Sequence, residues 1–229
     1  MKRYIALLAA ATVIVSLAAC GSDKREASGR SEKTQEQTAA ADAEPASDGK
    51  ILIAYFTVAE NSGVDAVSSA SYSMVNDKPV GRLRAIADMI QAETGGELFS
   101  IRTSVVYPAD GGELIDYAAN EQEEDARPEL TSHIEGLDKY GTVFVGFPNW
   151  WADLPMPVYS FLESYDFSSK TIIPFITHGG SRASRTVETI SELQPDASVY
   201  DNALVLSRND VASSTDDVTA WITNIFADS

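Results

Sequence analysis

The sequence predicts a doubly wound α/β domain built on a five-stranded parallel sheet, and three observations carry that expectation. The run at 142–146, entered through Gly141, is almost wholly apolar, as a strand covered on both faces must be. Further strands are expected at 51–56, 97–101, 171–176 and 199–206. Stretches of helical period separate them, and strands alternating with helices pack as a parallel sheet with helices on both sides.

Taken in order, the chain of 229 residues begins with Lys2 and Arg3 before an apolar run at 5–19 broken only by Thr12 and Ser16. That run is shorter than the ~20 residues a comfortable membrane span needs, and it fits a signal peptide over 1–19. It closes on Leu17-Ala18-Ala19-Cys20, which resembles a bacterial lipoprotein lipobox. The resemblance implies cleavage before Cys20, lipidation of that residue, and a protein anchored to the extracytoplasmic side of the cell membrane. Cys20 is the only cysteine, so the mature chain would hold no free thiol and no disulfide. From 20 to 49 the chain has no aromatic residue and no aliphatic larger than alanine, which makes it a flexible tether. The folded domain is expected over 50–229.

The first strand, 51–56, leads into a long connection at 57–80 rich in Ser, Asn and Gly, and connections of that length usually carry function. A helix follows over 81–94, with Leu83, Ile86, Ala87 and Ile90 on one face and Gly95-Gly96 ending it. After the strand at 97–101 comes a charged amphipathic helix over 113–126. The strand at 142–146 runs into Pro148-Asn149-Trp150-Trp151 and Leu154-Pro155, where the prolines stiffen the loop. A helix through 158–163, a strand at 171–176, the turn Thr177-His178-Gly179-Gly180-Ser181, a helix over 183–193, the strand at 199–206 and a helix over 216–227 complete the domain.

With strand order 2-1-3-4-5 the switch point falls between the first and third strands, and ligands of open α/β sheets bind there, at the carboxyl ends of the strands. Two adjacent tryptophans offer flat apolar area for a planar ring. Hydroxyls and backbone amides of the first loop suit a phosphate at a helix amino terminus, and a Gly-Gly backbone approaches a ring edge where side chains would not fit. The charge balance, 34 Asp and Glu against 17 Lys and Arg for a formal −17, argues against nucleic acid and anionic lipid as partners. The acidic run Glu121 to Asp125 reads as a solvated helix face, and His133 as a solvated loop residue. His178 either stabilises charge at a ring edge or simply bonds loop backbone.

Three segments, Ala54-Tyr55-Phe56, Pro148-Asn149-Trp150-Trp151 and Thr177-His178-Gly179-Gly180-Ser181, make the domain resemble the flavodoxin-like fold. In particular they resemble the bacterial flavodoxin family that carries AYF at the first strand, PxWW after the third and THGGS after the fourth. The resemblance covers the domain from Lys50 onward and implies non-covalent FMN. It places Thr57 at the phosphate; Arg82 stands where the relatives' Asn would be and can add a charge-assisted bond, and Asn61 and Ser62 can complete the cradle if the long loop folds back. It sets Pro148, Asn149, Trp150 and Trp151 against the ring, and Thr177, His178, Gly179 and Gly180 at the ring's polar edge. Relatives carry Gly-Asn-Thr in the phosphate loop or at the helix start after an insertion; here the helix begins Gly81-Arg82-Leu83. The function implied is membrane-tethered electron transfer between a redox donor and acceptor, protein or quinone, with the membrane met only through the lipid. The alternatives are an FMN-dependent quinone reductase and a degenerate flavodoxin fold that binds another ligand.

Overall fold

Strand β1 (Lys50–Tyr55) sends alternate side chains to opposite faces of the sheet, and both sets are buried: Leu52 and Ala54 in one apolar cluster, Ile53 and Tyr55 in another. That double burial forces helices onto both faces. The computed structural model describes residues 49–62, 72–75, 78–108 and 110–227. The expected signal peptide, Cys20 and all of the tether before Gly49 lie outside the described residues, as do 63–71 of the long connection.

After β1 the chain makes one helical turn, α1 (Ala59–Ser62), and then a hairpin of β2 (Tyr72–Val75) and β3 (Lys78–Gly81), paired antiparallel as a sheet of its own. This hairpin lies within what the sequence reads as plain connection. Helix α2 (Arg82–Thr94) follows directly and ends on Gly95, whose φ of 69° is the left-handed conformation a helix stop favours. Next come β4 (Glu97–Ser100), α3 (Gly111–Glu123), β5 (Tyr140–Pro148), α4 (Met156–Ser164), β6 (Thr171–His178) and α5 (Thr186–Leu193). The chain closes with β7 (Ser198–Val199), β8 (Leu204–Ser207) and α6 (Thr215–Phe226).

The main sheet runs β4-β1-β5-β6, with β7 and β8 both pairing β6, and every pairing is parallel. Counting β7 and β8 as one interrupted strand, the order is 2-1-3-4-5, as expected. The interruption is where the sequence expects one continuous strand. Asp201 and Asn202 are exposed there, and the Asn202 carbonyl accepts the Trp221 indole N–H at 2.8 Å. Helices α3, α4 and α5 contribute to the core on one face through Leu114, Val158, Phe161 and Ile190. Helices α2 and α6 cover the other through Leu83, Ile86, Val218 and Trp221. Gly146 in β5 leaves room for the buried Phe175 ring of β6, because a Cβ there would fall 2.1 Å from the ring. Among the described residues no helix is long and apolar enough to cross a membrane.

Candidate functional site

The carboxyl ends of β5 and β6 open onto a cavity of about 350 Å³. Pro148, Asn149, Trp150 and Trp151, at and after the end of β5, line it together with Thr177, His178, Gly179 and Ser181, at and after the end of β6. Leu114, Ile115 and Ala118 of α3 close it, and Arg208, just past β8, reaches it from the far side. The size lies in the range of small-molecule sites, and the place is the carboxyl edge of the sheet, beside the β1–β5 switch point. Seven of the residues expected from sequence thus line one space: Pro148, Asn149, Trp150, Trp151, Thr177, His178 and Gly179. Gly180 meets it indirectly, through an N–H that donates to His178 Nδ1 at 2.9 Å.

The two tryptophans differ in environment. Trp150 is partly buried and packs edge-on against Phe56 and Tyr107, with ring centroids 5.6 and 5.9 Å away. Trp151 is 56% exposed and anchored by its indole N–H, which donates to the Ile115 carbonyl at 3.1 Å. Between Trp150 and Asp153 the backbone closes a two-residue hairpin: the Trp150 N–H donates to the Asp153 carbonyl at 3.1 Å, and the return bond is 2.9 Å. Trp151 and Ala152 take φ of 51° and 65°, the left-handed pair that such a tight turn requires. Left-handed backbone at a non-glycine residue costs on the order of 1 kcal/mol or more, and such strain is typical of binding loops. Asp153, which sequence reasoning did not single out, holds the turn in place. Its carboxylate accepts from the Leu154 N–H at 2.8 Å and from the Tyr159 hydroxyl at 3.0 Å.

Asn149 sits beneath the ring loop. Its amide donates to the Arg182 carbonyl at 2.6 Å and to Ser184 Oγ at 3.0 Å, so its Nδ2 protons are used. Its Oδ1 is buried, and among the described residues it has no hydrogen-bond partner. His178 bonds loop backbone through Nδ1, so the proton of the neutral ring sits on Nε2 and remains a donor. Burial first, then the Arg182 guanidinium, hold His178 below the ordinary imidazole value, against the pull of Asp210. It is therefore neutral at pH 7. His133 is exposed, as expected for a solvated loop residue.

The phosphate candidates gather at the end of β1. Thr57 is buried, and Gly81, the cap of α2, stands so near that a Cβ there would fall 2.6 Å from Thr57 Oγ1. That close approach sets the start of α2, and with it Arg82, beside Thr57. Asn61 has a different job from the one expected. Its amide donates to the carbonyls of Thr57 and Ile101 at 2.9 and 3.1 Å, and its Oδ1 accepts from the Thr103 N–H at 2.9 Å. All its polar capacity thus goes into tying the loops after β1 and β4 together. Ser62 Oγ donates to the Val58 carbonyl at 3.1 Å. Glu60 joins this corner, bridged by Arg84 at 3.3 Å and Arg102 at 3.7 Å and bonded by the Tyr55 hydroxyl at 3.1 Å.

The acidic run of α3 needs one correction. Glu121 is only 6% exposed, and its carboxylate accepts from the Tyr107 hydroxyl at 3.1 Å. Burial pushes it up to about 7, with the tyrosine bond working the other way. The reason is helical spacing: Leu114, Ala118 and Glu121 share the buried stripe of α3. Glu123, Glu124 and Asp125 are exposed, as a solvated face should be.

No curated protein matches the chain. Among solved structures, a protein of Bacteroides uniformis ATCC 8492 provisionally assigned as a flavoprotein is 26% identical. The match covers 76% of this chain and 98% of that one, with a TM-score of 0.55. A similarly assigned protein of Bacteroides eggerthii DSM 20697 is 24% identical over 77% of this chain and 98% of its own, TM-score 0.54. A flavoprotein of Lactobacillus acidophilus NCFM, in complex with FMN, shares the fold at 18% identity, over 75% of this chain and 99% of its own, TM-score 0.50. A family model described as flavodoxin matches residues 74–225, a span running from the β2–β3 hairpin to the last helix. With the 2-1-3-4-5 sheet and a cavity at its carboxyl edge, that match settles the family: the chain belongs to the flavodoxins.

Proposed function

We propose that this chain is an FMN-binding electron-transfer protein, held at the extracytoplasmic side of the cell membrane by a lipidated Cys20. The observation that carries the reading is the cavity lined by Trp150 and Trp151 together with polar Asn149, Thr177 and His178. An isoalloxazine ring fits that lining. Its flat body would lie against the tryptophans, and its heteroatoms would meet Asn149, Thr177, His178 and Gly179. Thr57, Ser62 and the backbone amides at the start of α2 would hold the phosphate. The FMN complex of a flavoprotein with the same fold supports the assignment.

Bound FMN would supply the electron chemistry. The protein supplies orientation, exclusion of water and charge. Neutral His178, its Nε2 proton fixed by the Gly180 bond, donates without adding charge. Apolar α3 keeps solvent from that side through Leu114 and Ala118.

Titrating the full chain with FMN and with riboflavin tests the reading. FMN should bind about tenfold or more tighter than riboflavin, since charge-assisted bonds and helix amides act on the phosphate alone. Raised salt should narrow the gap. Binding of neither flavin overturns the assignment, and equal affinities remove the phosphate site from it. Steady-state reduction of a quinone by the reduced protein would move the function from carrier to reductase.

The anchor has its own test. Cys20→Ser should abolish lipidation, so the variant should stay unprocessed or leave the detergent phase in phase-separation assays. A correctly cleaved Cys20→Ser protein that still partitions with detergent would remove the anchor from this residue.

A further inference from the structure

Arg208 reaches the cavity from outside every motif. Parallel pairing of β6 with β8 sets His178 opposite Ser207, and the Arg208 N–H then donates to the His178 carbonyl at 2.9 Å. Its guanidinium lies against Gly179, where a Cβ would stand 3.1 Å from Nη1. The side chain lines the cavity and is half-buried. Among the described residues its guanidinium makes no hydrogen bond and no ion pair. In so acidic a chain that is unusual, since Arg84, Arg102, Arg127 and Arg185 all bridge carboxylates. Arg182, in the neighbouring turn, also bridges none, and its charge is felt by His178. One end of the cavity therefore presents a guanidinium with no direct carboxylate partner among the described residues, although the charge of Asp210 is felt at the neighbouring His178.

We propose that Arg208 holds negative charge on the ring of a bound flavin, so that the cavity binds the reduced, anionic ring more tightly, relative to the oxidised one, than it would without the arginine. The inference rests on the FMN reading above. All of the ring's acceptors, and the charge it gains on reduction, lie in its central and pyrimidine parts; the dimethylbenzene part has neither. A guanidinium that meets the ring by hydrogen bond in this cavity must meet the acceptor-bearing part. The reduction it favours is FMN + 2e⁻ + H⁺ → FMNH⁻, with electrons from a reduced donor and one proton from solvent. The neutral product FMNH₂ takes a second proton, which a fixed cation opposes. The overall acidity of the protein works against an anion, and a cation at the ring offsets part of that.

Full-length protein, Arg208→Gln and Arg208→Lys are titrated anaerobically with oxidised FMN and with FMN reduced by dithionite. The affinity ratio of reduced to oxidised flavin should fall about tenfold in Arg208→Gln, equivalent to about 30 mV in a two-electron midpoint, while Arg208→Lys keeps most of it. The absorbance of the reduced flavin should stay that of the anion to lower pH in the unaltered protein than in Arg208→Gln. An unchanged ratio in Arg208→Gln, with oxidised FMN still bound, overturns the role of the arginine and leaves the FMN reading standing. Binding of neither form by the unaltered protein overturns both.

Discussion

Trp150→Ala should cost the fold about 3 kcal/mol, while Trp151→Ala should leave stability nearly unchanged and still weaken FMN tenfold or more. Trp150 is wedged edge-on between Phe56 and Tyr107, both buried, so its removal opens a void under the ring loop. Trp-to-Ala changes in such places cost about 3–5 kcal/mol, and partial exposure of Trp150 puts this one at the low end. For a domain of this size that is roughly a 6–12 °C fall in Tm. Trp151 is 56% exposed, and its anchoring bond to the Ile115 carbonyl is a surface one. Its loss removes ring stacking on the order of 1 kcal/mol together with buried area against the flavin. Thermal melts of the two apoprotein variants, followed by FMN titration of Trp151→Ala, separate the roles. Equal Tm losses would refute the division of labour, and unchanged FMN affinity in Trp151→Ala would take that residue out of the ring wall.

That division was not legible from the dipeptide itself, because two identical neighbours carry no signal for which is wedged and which is free. It is set by the left-handed turn at Trp151 and Ala152 and by Asp153, whose carboxylate fixes the loop through Tyr159 and Leu154. What the sequence does show well are segments whose signals are local and mutually supporting. The apolar run entered at Gly141 and closed at Pro148 is β5, and Gly95 ends α2 where glycine is expected to. The loops after β5 and β6 share one cavity because parallel pairing aligns Pro148 with Thr177.

The misses are of the opposite kind. The β2–β3 hairpin is short, separated by two polar residues, and set in a Ser-rich stretch that offers no period to read. Arg208 lies in an Arg-Asn-Asp segment that looks like any surface turn, and only the register of β8 on β6 carries it to Gly179. Asn61 carries the right chemistry for a phosphate, but backbone carbonyls and the Thr103 N–H claim it first, and nothing local announces that. Glu121 is different, since the information was present. Charge clustering with Glu123 and Glu124 points outward, whereas spacing from Leu114 and Ala118 points inward, and packing made the spacing win.

That buried carboxylate makes stability depend on pH in a direction opposite to most acids. Glu121 sits near 4.5 when unfolded and is pushed up to about 7 by burial in the fold. The folded state therefore keeps the proton that the unfolded chain has already lost. Its contribution is fully present below about pH 4.5 and is lost as pH rises through 7. Glu121→Gln removes the titration and retains an acceptor for the Tyr107 hydroxyl. At pH 4.5 and below, the variant and the unaltered protein should melt together. At pH 8 the variant should be the more stable by about 3 kcal/mol, or roughly 6–12 °C in Tm. Every other carboxylate titrates identically in the two proteins, so the difference between their melting curves isolates this one. Tyr107→Phe, which removes the bond that lowers the Glu121 value, should shift the same loss of stability to higher pH. A Tm gap that stays constant from pH 4.5 to 8 would mean that Glu121 is charged and solvated in the fold, and that α3 does not turn this face inward.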